Sequence, residues 1–167
     1  ETIEIGAALI NDISGGKMDE NMFKTIAELQ VPYILMHMQG TPQNMQKNPS
    51  YENVTKDLIS FFAAQIFELR QLQVKDVIID VGFGFGKTLQ ENHQLLRQLE
   101  HLHVLGCPLL IGVSRKSMIT KKLNVSTEDA LNGTSILNTV AYVKGAAVFR
   151  VHDAAATQEL ITLLEKE

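Results

Sequence analysis

The chain has 167 residues, of which 45% are hydrophobic and 20% are charged. This is the composition of an ordinary globular domain, at a length that can bury a sizeable core. The formal net charge of −4 excludes the basic surface of a typical nucleic-acid-binding protein, and the single cysteine excludes an internal disulfide. No apolar run could span a bilayer and the first residues lack a secretory pattern, so we expect a cytoplasmic protein with no membrane partner.

Short apolar runs alternate with longer segments of helical periodicity along the chain. Apolar residues at intervals of three and four predict helices at 19–30, 50–72, 91–103 and 126–144, followed by a last helix that Asp153 can cap. The apolar runs predict five strands, at 8–10, 33–36, 77–80, 109–113 and 146–149. No hairpin signal separates them, so we predict a parallel sheet with helices outside it.

Polar residues follow every predicted strand. They are Asn11, His37, Asp80, the run 114–117, and Arg150 with His152. In a (β/α) barrel the active site lies at the C-terminal ends of the strands, where these side chains would converge. Five strands do not close such a barrel, which needs about eight, and the sequence begins without methionine. We therefore interpret the chain as the latter part of a barrel.

The most informative stretch runs from Asp80 to Lys87 and contains three glycines and two phenylalanines. A carboxylate directly after a buried strand can accept hydrogen bonds from the N–H edge of a heteroaromatic ring. The glycines let the backbone approach a ligand closely, and the phenylalanines can offer flat apolar faces. This stretch alone leaves open the alternative of a structural turn with phenylalanines in the core.

Five motifs, taken together and in this order, resemble the dihydropteroate synthase family, the folate-pathway enzymes that sulfonamides inhibit. They are Asn11-Asp12, the run 35–42 (Leu-Met-His-Met-Gln-Gly-Thr-Pro), the loop 80–87, the run 114–117 (Ser-Arg-Lys-Ser) and the run 150–152 (Arg-Val-His). The resemblance covers essentially the whole chain. Val81 is a departure, because the family usually has proline there.

The resemblance implies a fold and a reaction. The fold is α/β, a (β/α)8 TIM barrel, of which residues 1–167 would be a single pterin-binding domain formed by strands four to eight. The family joins 6-hydroxymethyl-7,8-dihydropterin pyrophosphate to p-aminobenzoate, giving 7,8-dihydropteroate and pyrophosphate. We expect no dedicated acid or base in catalysis. Mg²⁺ is expected to bind with the substrate pyrophosphate, without metal ligands from this chain. Since family members are dimers, a homodimer through the outer helices near the C-terminus is expected.

The resemblance also assigns the pterin site. Asp80 would accept hydrogen bonds from the amino and N–H groups of the ring, Asn11 would bind ring nitrogens, and Lys116 would donate to the ring carbonyl and N5. Further pterin contacts are expected from Ile13, Met36, Phe85 and Gly112. The alternatives are turn roles for Asp80 and Asn11, a solvated surface position for Lys116, and plain core roles for Ile13 and Met36.

Two other groups of residues complete the expected site. Arg150 and His152 precede a helix, and cations beside a helix N-terminus attract phosphate. The resemblance likewise implies that these two residues bind the pyrophosphate. The alternative for Arg150 is a structural ion pair. The p-aminobenzoate contacts are expected from Phe85, Ser114, Arg115 and Ser117.

Hypotheses of different class remain. In the first, the chain belongs to an active synthase, and residues 1–167 alone are inactive because the preceding strands carry further site residues. In the second, it is a catalytically inactive pterin-binding fragment. A pterin-dependent methyltransferase would share the barrel, but the run 114–117 favours the branch that uses p-aminobenzoate.

Overall fold

A computed structural model describes residues 2–165 of the chain. Five parallel strands form one sheet, and each strand pairs with the next one along the sequence. The strands are β1 (Ile10–Asp12), β2 (Tyr33–Met36), β3 (Val77–Asp80), β4 (Leu109–Ile111) and β5 (Val148–Phe149). The helices are α1 (Met22–Leu29), α2 (Val54–Gln71), α3 (Leu89–Arg97), α4 (Ser117–Leu123), α5 (Leu131–Val143) and α6 (Ala154–Leu164). None of the helices within residues 2–165 is long and apolar enough to cross a membrane.

The two faces of the sheet have different environments, because successive side chains of a strand point to opposite sides. One face packs against the helices and supplies the core with Tyr33, Leu35, Val77, Ile79, Leu109 and Ile111. On the other face, Asn11 pairs with Ile34, and Asp80 pairs with Leu110. The same alternation continues past the strand ends and places Asn11, Met36, Asp80, Gly112 and Arg150 on this second face.

Strand boundaries differ from the predicted ones at three places. The first strand lies at Ile10–Asp12 and not at 8–10, because its pairing with β2 begins at Ile10 and continues to Asp12, which pairs with Leu35. The last two strands are shorter than predicted, and β4 ends at Ile111, where the polar segment begins to turn away. The strands β2 and β3 match the predicted ranges.

Helix boundaries also differ. The predicted helix 91–103 is α-helical only to Arg97 and continues as the 3-10 segment Leu99–Leu105. The short helix α4 was not predicted, because its seven residues carry too little periodicity. The predicted helix 126–144 is a 3-10 turn at Glu128–Ala130 followed by α5. Asp153 stands at the start of α6 but makes no side-chain cap.

A buried carboxylate fixes the loop after β1. Asp12 accepts hydrogen bonds from the backbone N–H and hydroxyl of Ser14 at 2.8 and 2.6 Å, from the N–H of Gly16 at 2.6 Å, and from the hydroxyl of Tyr33 at 2.6 Å. Burial opposes the charge of Asp12, but these donors hold its pKa below the ordinary value. This hydrogen-bond network was not predicted, because the sequence indicates Asp12 only as part of the Asn11-Asp12 motif and does not show its partners.

We expect Tyr33→Phe to lower the free energy of unfolding by about 2 kcal/mol, because a buried hydrogen bond to a carboxylate is lost. Urea unfolding measures the change. Tyr142→Phe is the matched control, because the hydroxyl of Tyr142 makes no hydrogen bond within residues 2–165 and its ring is half-buried. Equal losses in the two variants would mean that the bond to Asp12 contributes nothing.

Candidate active site

The buried side chain of Lys87 stabilises the loop between β3 and α3 by binding its backbone carbonyls. Its Nζ donates to the carbonyls of Gly82 at 3.0 Å and Phe85 at 3.1 Å, and lies 3.0 Å from Nδ1 of His37. Burial lowers the pKa of Lys87 to about 7, and the charge of Asp80 opposes that shift. The burial of the Lys87 side chain was not predicted, because a sequence does not show which way a lysine side chain points.

Other contacts with the loop also reach its backbone. Tyr51 donates its hydroxyl to the carbonyl of Gly86 at 2.7 Å, and the side-chain amide of Gln46 donates to the carbonyl of Gly84 at 2.6 Å. Gly86 has a φ of +62°, and a Cβ there would collide with the carbonyl of Gln39. The glycine is therefore required by both conformation and space.

The two phenylalanines of the loop have different positions. Phe83 is fully buried in the hydrophobic core, so it offers no face to a ligand, contrary to one reading of the sequence. Phe85 is half-buried, and the ammonium of Lys116 lies 4.9 Å from its ring centroid. Only Phe85 can present a ring to a bound molecule at this edge.

Asp80 ends β3 and is 1% exposed. Its Oδ1 accepts a hydrogen bond from the N–H of Gly82 at 2.8 Å. Its Oδ2 lies 3.0 Å from a guanidinium nitrogen of Arg150, but accepts no hydrogen bond. A buried acceptor without a hydrogen bond costs about 1–3 kcal/mol, and such groups are rare outside functional sites. Oδ2 therefore has hydrogen-bonding capacity that the described residues leave unused, although Arg150 lies directly against it.

Lys116 brings a second cation to the carboxylate. Its Nζ donates to the carbonyl of Phe83 at 2.6 Å. Burial lowers the pKa of Lys116 to about 8, with Asp80 raising it and Arg150 lowering it, so the ammonium remains mostly charged at pH 7. We call Asp80, Phe85, Lys116 and Arg150 the strand-end cluster.

The structure gives Gly112 a neighbour other than the expected one. A Cβ at this position would lie 3.1 Å from a guanidinium nitrogen of Arg150. The guanidinium of Arg150 thus occupies the space beside Gly112 in this structure, where the resemblance implies a contact with the pterin ring. The alternative reading of Arg150, an ion pair, is also what its contact with Asp80 shows.

Ser114 and His152 form a second pair beside the cluster. The hydroxyl of Ser114 lies 2.9 Å from Nδ1 of His152 and accepts a hydrogen bond from the N–H of His152 at 3.2 Å. The structure thus joins residues that the resemblance assigned to different ligands. Ser117 is exposed at the first position of α4, and its side chain makes no hydrogen bond within residues 2–165.

Arg115 is occupied by structural contacts and does not face the cluster with a free guanidinium. It forms two hydrogen bonds of 2.8 Å with the carboxylate of Asp153 and donates to the carbonyls of Thr127 and Glu128 at 2.9 and 3.0 Å. The role of Arg115 beside p-aminobenzoate stays a prediction. These contacts also explain why Asp153 does not cap α6.

The remaining predicted residues lie around the cluster at different depths. Asn11 is exposed on β1, and its side chain makes no hydrogen bond within the described residues. Ile13 is 37% exposed, whereas Met36 is fully buried. Asn11 and Met36 share the sheet face of Asp80, and the register brings Met36 directly beside it. Residues 2–165 contain no group of three or more His, Cys, Asp or Glu side chains that could hold a metal ion.

The model of one protein family, described as pterin binding enzyme, matches residues 1–152. The chain belongs to this pterin-binding family. It is 40% identical over 163 residues to a dihydropteroate synthase of Haemophilus influenzae, a match that covers 96% of the chain and 59% of that protein. The family resemblance drawn from the five motifs is thereby confirmed.

Solved structures show the same likeness. A Yersinia pestis dihydropteroate synthase in a sulfonamide drug complex matches with a TM-score of 0.92 and 38% identity, covering 97% of this chain and 60% of that one. A Thermus thermophilus dihydropteroate synthase in complex with 4-aminobenzoate matches with a TM-score of 0.91 and 34% identity, covering 96% and 66%. The predicted fold class, an incomplete TIM barrel, is confirmed. The chain spans about three fifths of the length of its relatives.

The buried Lys87 predicts a pH dependence of stability in this pterin-binding protein. Between about pH 7 and the ordinary lysine value of 10.5, the unfolded chain holds a proton that the folded chain has released. Stability from this group therefore rises with pH, on the order of 1 kcal/mol per pH unit. We expect the difference in unfolding free energy between the unsubstituted protein and Lys87→Met to grow accordingly from pH 7 to 9, measured by urea unfolding.

Lys75→Met is the control for this measurement, because Lys75 is exposed just before β3. Its difference from the unsubstituted protein should stay flat over the same range. If the Lys87→Met difference is also flat, the carbonyls around Lys87 keep its ammonium charged in the folded state.

Proposed function

We propose that the protein to which this chain belongs is a dihydropteroate synthase, and that residues 1–167 form strands four to eight of its (β/α)8 barrel. It would condense 6-hydroxymethyl-7,8-dihydropterin pyrophosphate with p-aminobenzoate to give 7,8-dihydropteroate and pyrophosphate. The observation that carries the proposal is the buried Oδ2 of Asp80, which accepts no hydrogen bond at the strand end where Lys116 and Phe85 meet. The membership of the pterin-binding family and the likeness to dihydropteroate synthases support it.

The strand-end cluster suits one edge and one face of a pterin. Asp80 accepts from the amino and N–H groups of the ring, and Lys116 donates to its carbonyl and N5. Phe85 packs against the ring face. Asn11 lies on the same sheet face and supplies a donor and an acceptor from β1. Met36 supports the site from beneath, and the half-exposed Ile13 contacts the ring edge.

The diphosphate would lie between Arg150, His152 and the N-terminus of α6, which begins at Ala154. The guanidinium and the helix dipole both favour an anion there. His152 is exposed and is oriented by its contact with Ser114. A Mg²⁺ ion that arrives with the diphosphate would neutralise part of its charge. Residues 2–165 contain no group of three or more His, Cys, Asp or Glu side chains that could hold the ion, so the diphosphate itself would be its main ligand.

p-Aminobenzoate would pack on the open side of Phe85, with Ser114 and Ser117 near its carboxylate. Arg115 contributes by holding the run 114–117 in place. The bond between the exocyclic carbon and the diphosphate oxygen breaks, the diphosphate leaves with the electron pair, and the neutral arylamine nitrogen attacks the resonance-stabilised pterin cation. The ammonium product then loses a proton to solvent. The protein supplies orientation and charge stabilisation, so no side chain need act as a base.

The location and assembly of the protein follow from the same proposal. Its substrates are small water-soluble molecules, which fits a cytoplasmic enzyme. A homodimer through the outer helices would cover apolar side chains that α5 exposes, namely Leu131, Ile136 and Val143. The second candidate function is a pterin-binding fragment without catalysis. All four residues of the strand-end cluster lie within this chain, which favours pterin binding by the chain itself.

We expect Asp80→Asn to weaken binding of the pterin pyrophosphate at least about 100-fold, because loss of a charged hydrogen-bonding partner in a buried site costs several kcal/mol. Titration calorimetry on the full-length protein containing this sequence measures the effect. Asp76→Asn is the control, because Asp76 is exposed at the opposite end of β3. Unchanged affinity in Asp80→Asn would remove Asp80 from the site.

We expect the full-length protein to form dihydropteroate from the two substrates in the presence of magnesium, and residues 1–167 alone to show negligible turnover. The physical reason is that a five-stranded sheet leaves the site open to water and lacks the orienting groups of the preceding strands. A product assay on both proteins separates the two candidate functions. If the full-length protein is inactive but binds pterin, the binding fragment is the correct reading.

A further inference from the structure

The oxygen of Asp80 that is free of hydrogen bonds is not open to a ligand. Asp80 Oδ2 is buried, and a guanidinium nitrogen of Arg150 lies 3.0 Å from it. A carboxylate oxygen can accept from two donors at once, but a ligand nitrogen must come within about 3 Å of it, and a buried oxygen has no open approach at that distance. The ring can therefore reach Oδ2 only after a neighbouring group has moved away.

Arg150 is the neighbour that can move. Met36 is fully buried, and the Nζ of Lys116 is held by the carbonyl of Phe83 at 2.6 Å. The side chain of Arg150 is 41% exposed, and within residues 2–165 it makes no hydrogen bond. Its backbone N–H is fixed by the carbonyl of Ile111 at 2.9 Å, so only the side chain needs to swing.

Leaving Asp80 has a cost that depends on the ligand. The guanidinium gives up an ion pair with a buried carboxylate, and a pterin without phosphates offers it no other anion. A diphosphate offers it a more highly charged partner, close to His152 and the N-terminus of α6. The absence of a Cβ on Gly112 leaves the space in which the guanidinium rests before it moves.

We infer that Arg150 makes the site selective for a diphosphorylated pterin, because it occupies Asp80 until a diphosphate draws it away. The inference rests on the proposed function and adds to it a determinant of specificity. Arg150 then favours the phosphorylated ligand in two ways. It binds the diphosphate, and it competes for Asp80 with the ring of a pterin that has no diphosphate. A residue that only bound phosphate would leave the affinity for the unphosphorylated pterin unchanged.

The test compares 6-hydroxymethyl-7,8-dihydropterin with its pyrophosphate ester by titration calorimetry on the full-length protein containing this sequence. We expect Arg150→Gln to bind the ester at least about tenfold more weakly and the alcohol about two- to fivefold more tightly, the range of a partly exposed ion pair. Arg97→Gln is the control, because Arg97 is exposed at the end of α3, and it should change neither affinity.

A second measurement needs no variant. Inorganic pyrophosphate should draw Arg150 from Asp80, so its presence should tighten binding of the alcohol to the unsubstituted protein, and by linkage the alcohol should tighten binding of pyrophosphate. Arg150→Gln should lose this coupling. If the alcohol binds but Arg150→Gln does not tighten it, or if pyrophosphate has no effect, Arg150 does not oppose the ring. If the unsubstituted protein binds neither pterin, the proposed function itself fails.

Discussion

The site depends on one buried carboxylate whose charge is surrounded by cations but is not fully hydrogen-bonded. Asp80 has Arg150 in direct contact, and the charges of Lys87 and Lys116 are near enough to interact with it. Lys87 and Lys116 each donate to backbone carbonyls. The backbone N–H of Arg150 donates to the carbonyl of Ile111 in β4. The carboxylate therefore stays in place at the strand end, with one oxygen bound to the N–H of Gly82 and the other in contact with Arg150 but without a hydrogen bond.

The cations around Asp80 do different work because they are buried to different depths. Lys87 is sealed beneath the loop and satisfies backbone carbonyls, so its role is to hold a shape. Lys116 lies half-buried over Phe85 and can exchange the carbonyl of Phe83 for a ligand atom. Arg150 is the most exposed of the three, and it can therefore move farthest. Exposure therefore increases from Lys87 through Lys116 to Arg150.

The sequence predicted most of the architecture and the family, for identifiable reasons, whereas the roles of the site residues stay predictions. The runs that became β2 and β3 are apolar and bounded by polar residues, and parallel register then brings Asp80 and Met36 side by side. Partnerships between distant residues could not be predicted. Arg115 and Asp153 are 38 positions apart, and only the folded chain shows that they neutralise each other. The burial of Lys87 could not be predicted either, because it depends on the path that the loop takes in the folded chain.

The bonds that shape the loop after β3 end on main-chain carbonyls at Gly82, Gly84, Phe85 and Gly86. The shape of this loop therefore depends little on the identity of the side chain at position 85. Replacements there can change which flat molecules pack against the loop while its backbone stays as it is. Specificity at this edge of the sheet can thus vary independently of the fold of the loop.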